Sequence, residues 1–144
     1  MSRTIDVLHG VNLDQLGRRD PRHYGTQTLA DLEEAVAGFG RDLGLETRFF
    51  QTNHEGAFVE HLHALRGASD GIVLNPGAWT HYAWAIHDAL EITGVPAVEV
   101  HLSDVTQRDA WRQVSVVRDV CVATVSGKGV EGYRDALALL AERR

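Results

Sequence analysis

A chain of 144 residues that is 44% hydrophobic and 24% charged is sized for one domain, 1–144, large enough to bury about two-thirds of the surface its unfolded form exposes. A formal net charge of −6, with Lys128 the only lysine, argues against a nucleic-acid partner, which would select a basic face. No apolar run approaches the ~20 residues of a membrane helix and no leader-like segment opens the chain, so a cytoplasmic protein without a membrane partner is expected.

In chain order, TIDVL reads as a strand. GVNLDQLGRRDPRHYGTQ, residues 10–27, follows with neither helix nor strand period, and a loop of that length in a small domain is usually functional. LADLEEAVAGFGRDLG has helical spacing, a near capping box from Thr28 and Asp31 at its start, and Gly44 at its end. Gly38 and Gly40 inside it cost about 1 kcal/mol each relative to alanine, with no local reason. ETRFF, GIVLN, PAVEV and VCVATV read as further strands. GAFVEHLHALRG, THYAWAIHDALEITG (closed by Gly94) and VEGYRDALALLAERR read as helices. Cys121, inside VCVATV, reads as a buried small hydrophobe. The alternation predicts an α/β fold: a flavodoxin-like, doubly wound five-stranded parallel sheet with helices on both faces.

In such a sheet the ligand crevice lies beyond the carboxyl ends of the strands. Those ends carry His9, Gly10 and Asn12; Asn53, His54 and Glu55; Asn75, Gly77 and His81; Glu99, His101 and Ser103; and Ser126 with Gly127. Each is an ordinary turn residue alone, but together they favour a polar pocket for a hydroxylated small molecule. His61 and His63 are two apart on a helix and face different sides, and no metal-ligand spacing occurs, so no metal is expected. GVNLDQLG is neither of the glycine-rich nucleotide signatures.

Glu99 and His101 are two apart on a strand and point the same way, so the carboxylate can orient the imidazole and favour its protonated form as a general acid. A buried ion pair without catalytic use has the same pattern. Free tyrosine titrates near 10 and serves as a base at neutral pH only where positive charge favours the phenolate. On the long loop Arg19 stands close enough in sequence to Tyr24 to supply it, and an aromatic anchor for loop closure is a compatible role.

These residues lie in GVNLDQLGRRDPRHYG, QTNHEG, LNPGAWTHYAWAIHDAL, EVHLSDVTQRDAWR and GKGVEGYRDAL, and in that order and spacing the chain resembles the type II 3-dehydroquinate dehydratases along nearly its whole length. The resemblance implies dehydration of 3-dehydroquinate to 3-dehydroshikimate by anti elimination through an enolate, with no metal, imine or cofactor. Tyr24 would be the base, Arg19 would favour its phenolate, and Asn12 would hold a water on the enolate oxygen. His101, oriented by Glu99, would protonate the departing hydroxyl. Asn75, His81, Leu102, Ser103, Arg112 and Arg108 match substrate-binding positions. Asp88 matches a residue that reaches a neighbouring subunit's site, and a homo-oligomer, a dodecamer built as a tetramer of trimers, is implied.

Several positions depart from the family's pattern. His9, Val11 and Asp14 alter an opening that usually reads Asn-Gly-Pro-Asn-Leu-Asn. Trp79 and Tyr82 differ near the third strand, His87 replaces an arginine before Asp88, and Asp104 replaces an asparagine beside the carboxylate-binding backbone. An unshielded Asp104 would oppose an anionic substrate. Two alternatives follow: a catalytically silent homologue that binds a cyclic hydroxy acid, or a dehydratase of a related ring substrate.

Overall fold

The computed structural model describes residues 2–143. Its strands are β1 (Arg3–His9), β2 (Leu45–Gln51), β3 (Gly71–Asn75), β4 (Ala97–His101) and β5 (Ala123–Ser126). All neighbours pair in parallel, in the order β2-β1-β3-β4-β5. The helices are α1 (Pro21–Tyr24), α2 (Leu29–Asp42), α3 (Glu55–Ala64), α4 (Trp84–Thr93) and α5 (Glu131–Glu142). Among the described residues no helix is long and apolar enough to cross a membrane.

The period of two along each strand sorts side chains between two cores. Ile5, Val7, Val73, Val98 and Val100 face α2 and α5, burying Leu32, Val36, Leu137 and Leu140. Leu8, Ile72, Leu74 and Ala97 face α3 and α4, burying Phe58, Leu62, Ile86 and Leu90. At ~1.5–3 kcal/mol per large aliphatic or aromatic side chain, these two layers dominate the stabilisation. On β1 the alternation also turns Asp6 inward, where register places it opposite Arg48 of β2 and the guanidinium grips it through two hydrogen bonds of 3.0 and 2.8 Å.

The expected helix signals hold: Thr28 and Asp31 form a reciprocal capping box on α2, and Gly44 and Gly94 adopt left-handed backbone just past or at helix ends. Gly40 has a tertiary reason, since a Cβ there would lie 2.8 Å from Thr47 Cγ2 on the strand α2 packs against. Two expectations need correcting. Residues 10–27 are not structureless: they hold a 3-10 turn at Leu13–Gln15 and the single-turn α1, capped by the Asp20 side chain with Pro21 in its first turn. One turn of helix is too short to show a period. Cys121 is half-buried and lies outside the sheet, because pairing with β4 begins at Ala123, one residue after the Val122 N–H bonds the Ala97 carbonyl.

Strand order reverses between β1 and β3, where a crevice opens beyond their carboxyl ends. There the two backbones touch: Gly10 N–H donates to the Asn75 carbonyl at 2.8 Å, and a Cβ on Gly10 would overlap Pro76 O at 2.2 Å.

Candidate active site

The pocket at this crevice is walled by three segments: the loop after β1 (Leu13, Arg19, Tyr24), the turn after β3 (Asn75, Gly77, His81) and the stretch after β4 (His101 to Arg112). Buried Leu13 and Leu16 root the first loop in the α2/α5 core, and Tyr24 packs on that core. The loop therefore projects its polar residues from a fixed base.

Tyr24 Oη accepts from two guanidinium groups, Arg19 Nη2 at 2.9 Å and Arg108 Nη1 at 3.0 Å. The Arg19 guanidinium also lies over the Tyr24 ring, 3.8 Å from its centroid. Two charged donors thus converge on one phenolic oxygen. Arg108 Nη1 also donates to Ser103 Oγ at 3.2 Å, so it ties the first loop to the end of β4.

Across the pocket, His101 Nε2 lies 2.6 Å from Glu99 Oε2, as their strand spacing predicts. Glu99 is fully buried and also accepts from Thr80 Oγ1, Ser115 Oγ (2.8 Å) and, more weakly, Thr124 Oγ1 (3.4 Å). Burial alone would push the Glu99 carboxyl up, but the His101 imidazole and the hydroxyl donors outweigh it and hold the group below its ordinary value. With Nε2 engaged, Nδ1 is the His101 nitrogen left for a ligand.

His81 Nδ1 is 2.6 Å from the Val114 carbonyl, to which it donates, leaving Nε2 for the pocket. Burial lowers the affinity of His81 for a second proton, with the Val114 bond opposing, so Nε2 is an acceptor at neutral pH. Asn75 is buried at the end of β3, its Oδ1 accepting from Gly77 N–H at 3.1 Å. The carbonyls of Leu102 and Ser103 are taken by Gly129 and Gly127 N–H, and Arg112 lies over the Trp111 ring.

Other sequence-derived candidates fall outside this cluster. Asn12 sits exposed at the rim in left-handed backbone, its N–H bonded to Asn53 Oδ1 at 2.9 Å. Asn53 therefore pins the first turn and does not line the pocket. Asp88 is on α4, exposed and beside His87 Nδ1 at 2.8 Å. His9 is corrected: it belongs to β1, and with Ile5 and Val7 it turns toward α5, where its Nε2 meets Tyr133 Oη at 2.9 Å in full burial. Sequence reasoning missed Thr80, Ser115 and Thr124, because three hydroxyls on three segments carry no spacing signal.

A model of the family described as dehydroquinase class II matches residues 3–141. The chain belongs to this family. It is 49% identical over 142 residues to a 3-dehydroquinate dehydratase 2 of Pseudomonas putida, covering 99% of this chain and 95% of that protein. A protein of Aspergillus terreus named catabolic 3-dehydroquinase 1 is 46% identical over 137 residues, covering 95% of this chain and 90% of that one. The crystal structure of the type II dehydroquinase from Propionibacterium acnes superposes with a TM-score of 0.94 at 41% identity over 99% of each chain. Membership places the chain among the hydro-lyases. Of the departures from the family's pattern, Asp104 serves as a cap, its Oδ1 accepting from Thr106 N–H and Oγ1 at 3.0 and 2.6 Å, and it does not line the pocket.

Proposed function

We propose that this chain converts 3-dehydroquinate to 3-dehydroshikimate and water by anti elimination, with Tyr24 as base and His101 as general acid. One observation carries the reading: a phenolic oxygen held by two guanidinium groups and an imidazole held by a buried carboxylate line the same pocket. The Tyr24 phenolate takes a proton alpha to the ketone, and the electron pair moves onto the carbonyl oxygen as an enolate. Collapse of the enolate expels the C1 hydroxyl, which takes its proton from His101 Nδ1 and leaves as water. The resemblance assigns Asn12, which stands outside the pocket cluster here, a water on the enolate oxygen. His81 accepts from a ring hydroxyl, and Asn75 and Arg112 hold the others. The Leu102 and Ser103 backbone takes the carboxylate, and Arg108 closes the first loop over the substrate, excluding water. No cofactor enters the scheme.

The test is an ultraviolet assay of enone formation from 3-dehydroquinate, with Tyr24→Phe beside the parent. Loss of a general base predicts a fall of at least ~10²–10⁴-fold with ligand affinity retained. Turnover retained in Tyr24→Phe would remove Tyr24 as the base. The silent-homologue alternative is motivated by Asp104, His87 and the altered first loop; Asp104, engaged as a cap, gives it no support, and binding without turnover would favour it.

A further inference from the structure

The segment Val114–Val116 makes three consecutive contacts with residues of the catalytic cluster. The Val114 carbonyl accepts from His81 Nδ1 at 2.6 Å, Ser115 Oγ donates to Glu99 Oε1 at 2.8 Å, and Val116 N–H donates to the Thr80 carbonyl at 2.7 Å. Ser115 Oγ also lies 3.1 Å from Thr80 Oγ1, which itself donates to Glu99 Oε2. The segment is a short link between two 3-10 turns, Ala110–Gln113 and Arg118–Val120, opening with Val114 in extended backbone. Carbonyl, side chain and amide are offered to different neighbours at successive residues, which is how three residues reach His81, Glu99 and Thr80.

Each imidazole of the pocket thereby has one ring nitrogen engaged and the other left for a ligand, Nε2 in His81 and Nδ1 in His101. The Val114 carbonyl takes the Nδ1 proton of His81 and leaves Nε2 as an acceptor. Glu99 engages His101 Nε2 and leaves Nδ1 free to face a ligand. The carboxylate orients His101 only while its own rotation is fixed, and Glu99 is fully buried with hydroxyls as its other partners. Of these, Ser115 Oγ spans both oxygens, 2.8 Å from Oε1 and 3.0 Å from Oε2, and so fixes the carboxylate plane in which Oε2 meets the ring. Thr124 reaches Oε1 only at 3.4 Å.

We infer that Ser115 is a positioning residue of the reaction, acting through Glu99 on His101, and that the Val114–Val116 segment fixes which ring nitrogen of each pocket histidine faces the ligand. This rests on the dehydratase reading for its kinetic consequence but not for its structural one. Ser115 touches no reacting atom, and its hydroxyl is the functional group at issue.

The experiment uses the full chain as parent, Ser115→Ala and Ser115→Thr. With 3-dehydroquinate, Ser115→Ala is expected to lose about 10- to 100-fold in kcat with KM within twofold, the size of effect that orienting partners of a functional group have elsewhere. Ser115→Thr, which keeps the hydroxyl, is expected to recover most of the loss. Nitrogen-15 spectra of histidine-labelled protein are recorded without ligand: Ser115→Ala is expected to shift the His101 ring signals and leave those of His81, which depends on a backbone carbonyl, in place. Unchanged His101 signals in folded Ser115→Ala, or a kcat within twofold of the parent, would overturn the inference. So would a loss that Ser115→Thr fails to restore. If the parent does not turn over 3-dehydroquinate, the dehydratase reading fails, and the nitrogen spectra still decide whether Ser115 sets the state of His101.

Discussion

At the scale of single residues, burial and hydrogen bonding divide chemically similar groups. Three histidines near the strand ends illustrate it: His101 is given a carboxylate, His81 a backbone carbonyl, and His9 only the Tyr133 hydroxyl. Nδ1 of His9 is buried without a partner, and burial lowers the residue from its ordinary 6.5 to about 4. Above pH 6.5 the ring is neutral in both folded and unfolded chains and stability is unaffected. As pH falls from 6.5 toward 4, the unfolded chain takes up a proton that the fold refuses, so the contribution is lost on acidification by about 1.4 kcal/mol per pH unit, roughly 3 kcal/mol in all. His9→Asn, which restores the residue usual in the family, should flatten this part of the pH–stability curve. Urea unfolding of parent and variant at pH 7 and pH 4.5 measures it, and an equal loss in both proteins would exclude His9 as a source. The same divide explains what was legible in advance: Glu99 and His101 were paired by strand spacing alone, whereas Ser115 reaches Glu99 only after the chain has crossed β4 and two turns.

At the scale of elements, local signals located helices well and single turns poorly. The α2 capping box could be read because Thr28 and Asp31 contact within one turn of chain, while α1 could not, since four residues show no period. Gly38 and Gly40 look alike in sequence and separate in three dimensions. A Cβ at Gly38 would meet only Arg41 Nη2 at 3.6 Å, ordinary contact with a flexible group, whereas one at Gly40 meets Thr47 Cγ2 at 2.8 Å. Gly38→Ala should therefore stabilise by up to ~1 kcal/mol through helix propensity. Gly40→Ala should lose that gain to overpacking of ~1–3 kcal/mol and come out neutral to destabilising. Paired denaturant melts test both, and an equal stabilisation by the two substitutions would show that the helix–strand contact is not limiting.

At the scale of the whole molecule, the β1/β3 reversal gathers the ends of β1, β3 and β4 into one crevice, while the outer face of α4 exposes two large apolar side chains among charged ones. Trp84, Asp88 and Ile92, spaced four apart, form one stripe, and Trp84 and Ile92 are 60% and 54% exposed. The homo-oligomer expected from the resemblance would cover Trp84 and Ile92. Sedimentation should give a multiple of 15.9 kDa, consistent with a dodecamer, and Trp84→Glu should reduce it; a parent that sediments as a single chain would exclude the assembly. The sequence by itself determined the five alternating strands, the helices between them and the pairing of Glu99 with His101, because periods of 2 and 3.6 are properties of neighbours along the chain. Tertiary structure alone decided that Arg108 joins Arg19 on Tyr24, that hydroxyls from three segments enclose Glu99, and that His9 is buried away from the pocket. Each depends on residues tens of positions apart meeting across the sheet, which no local pattern records.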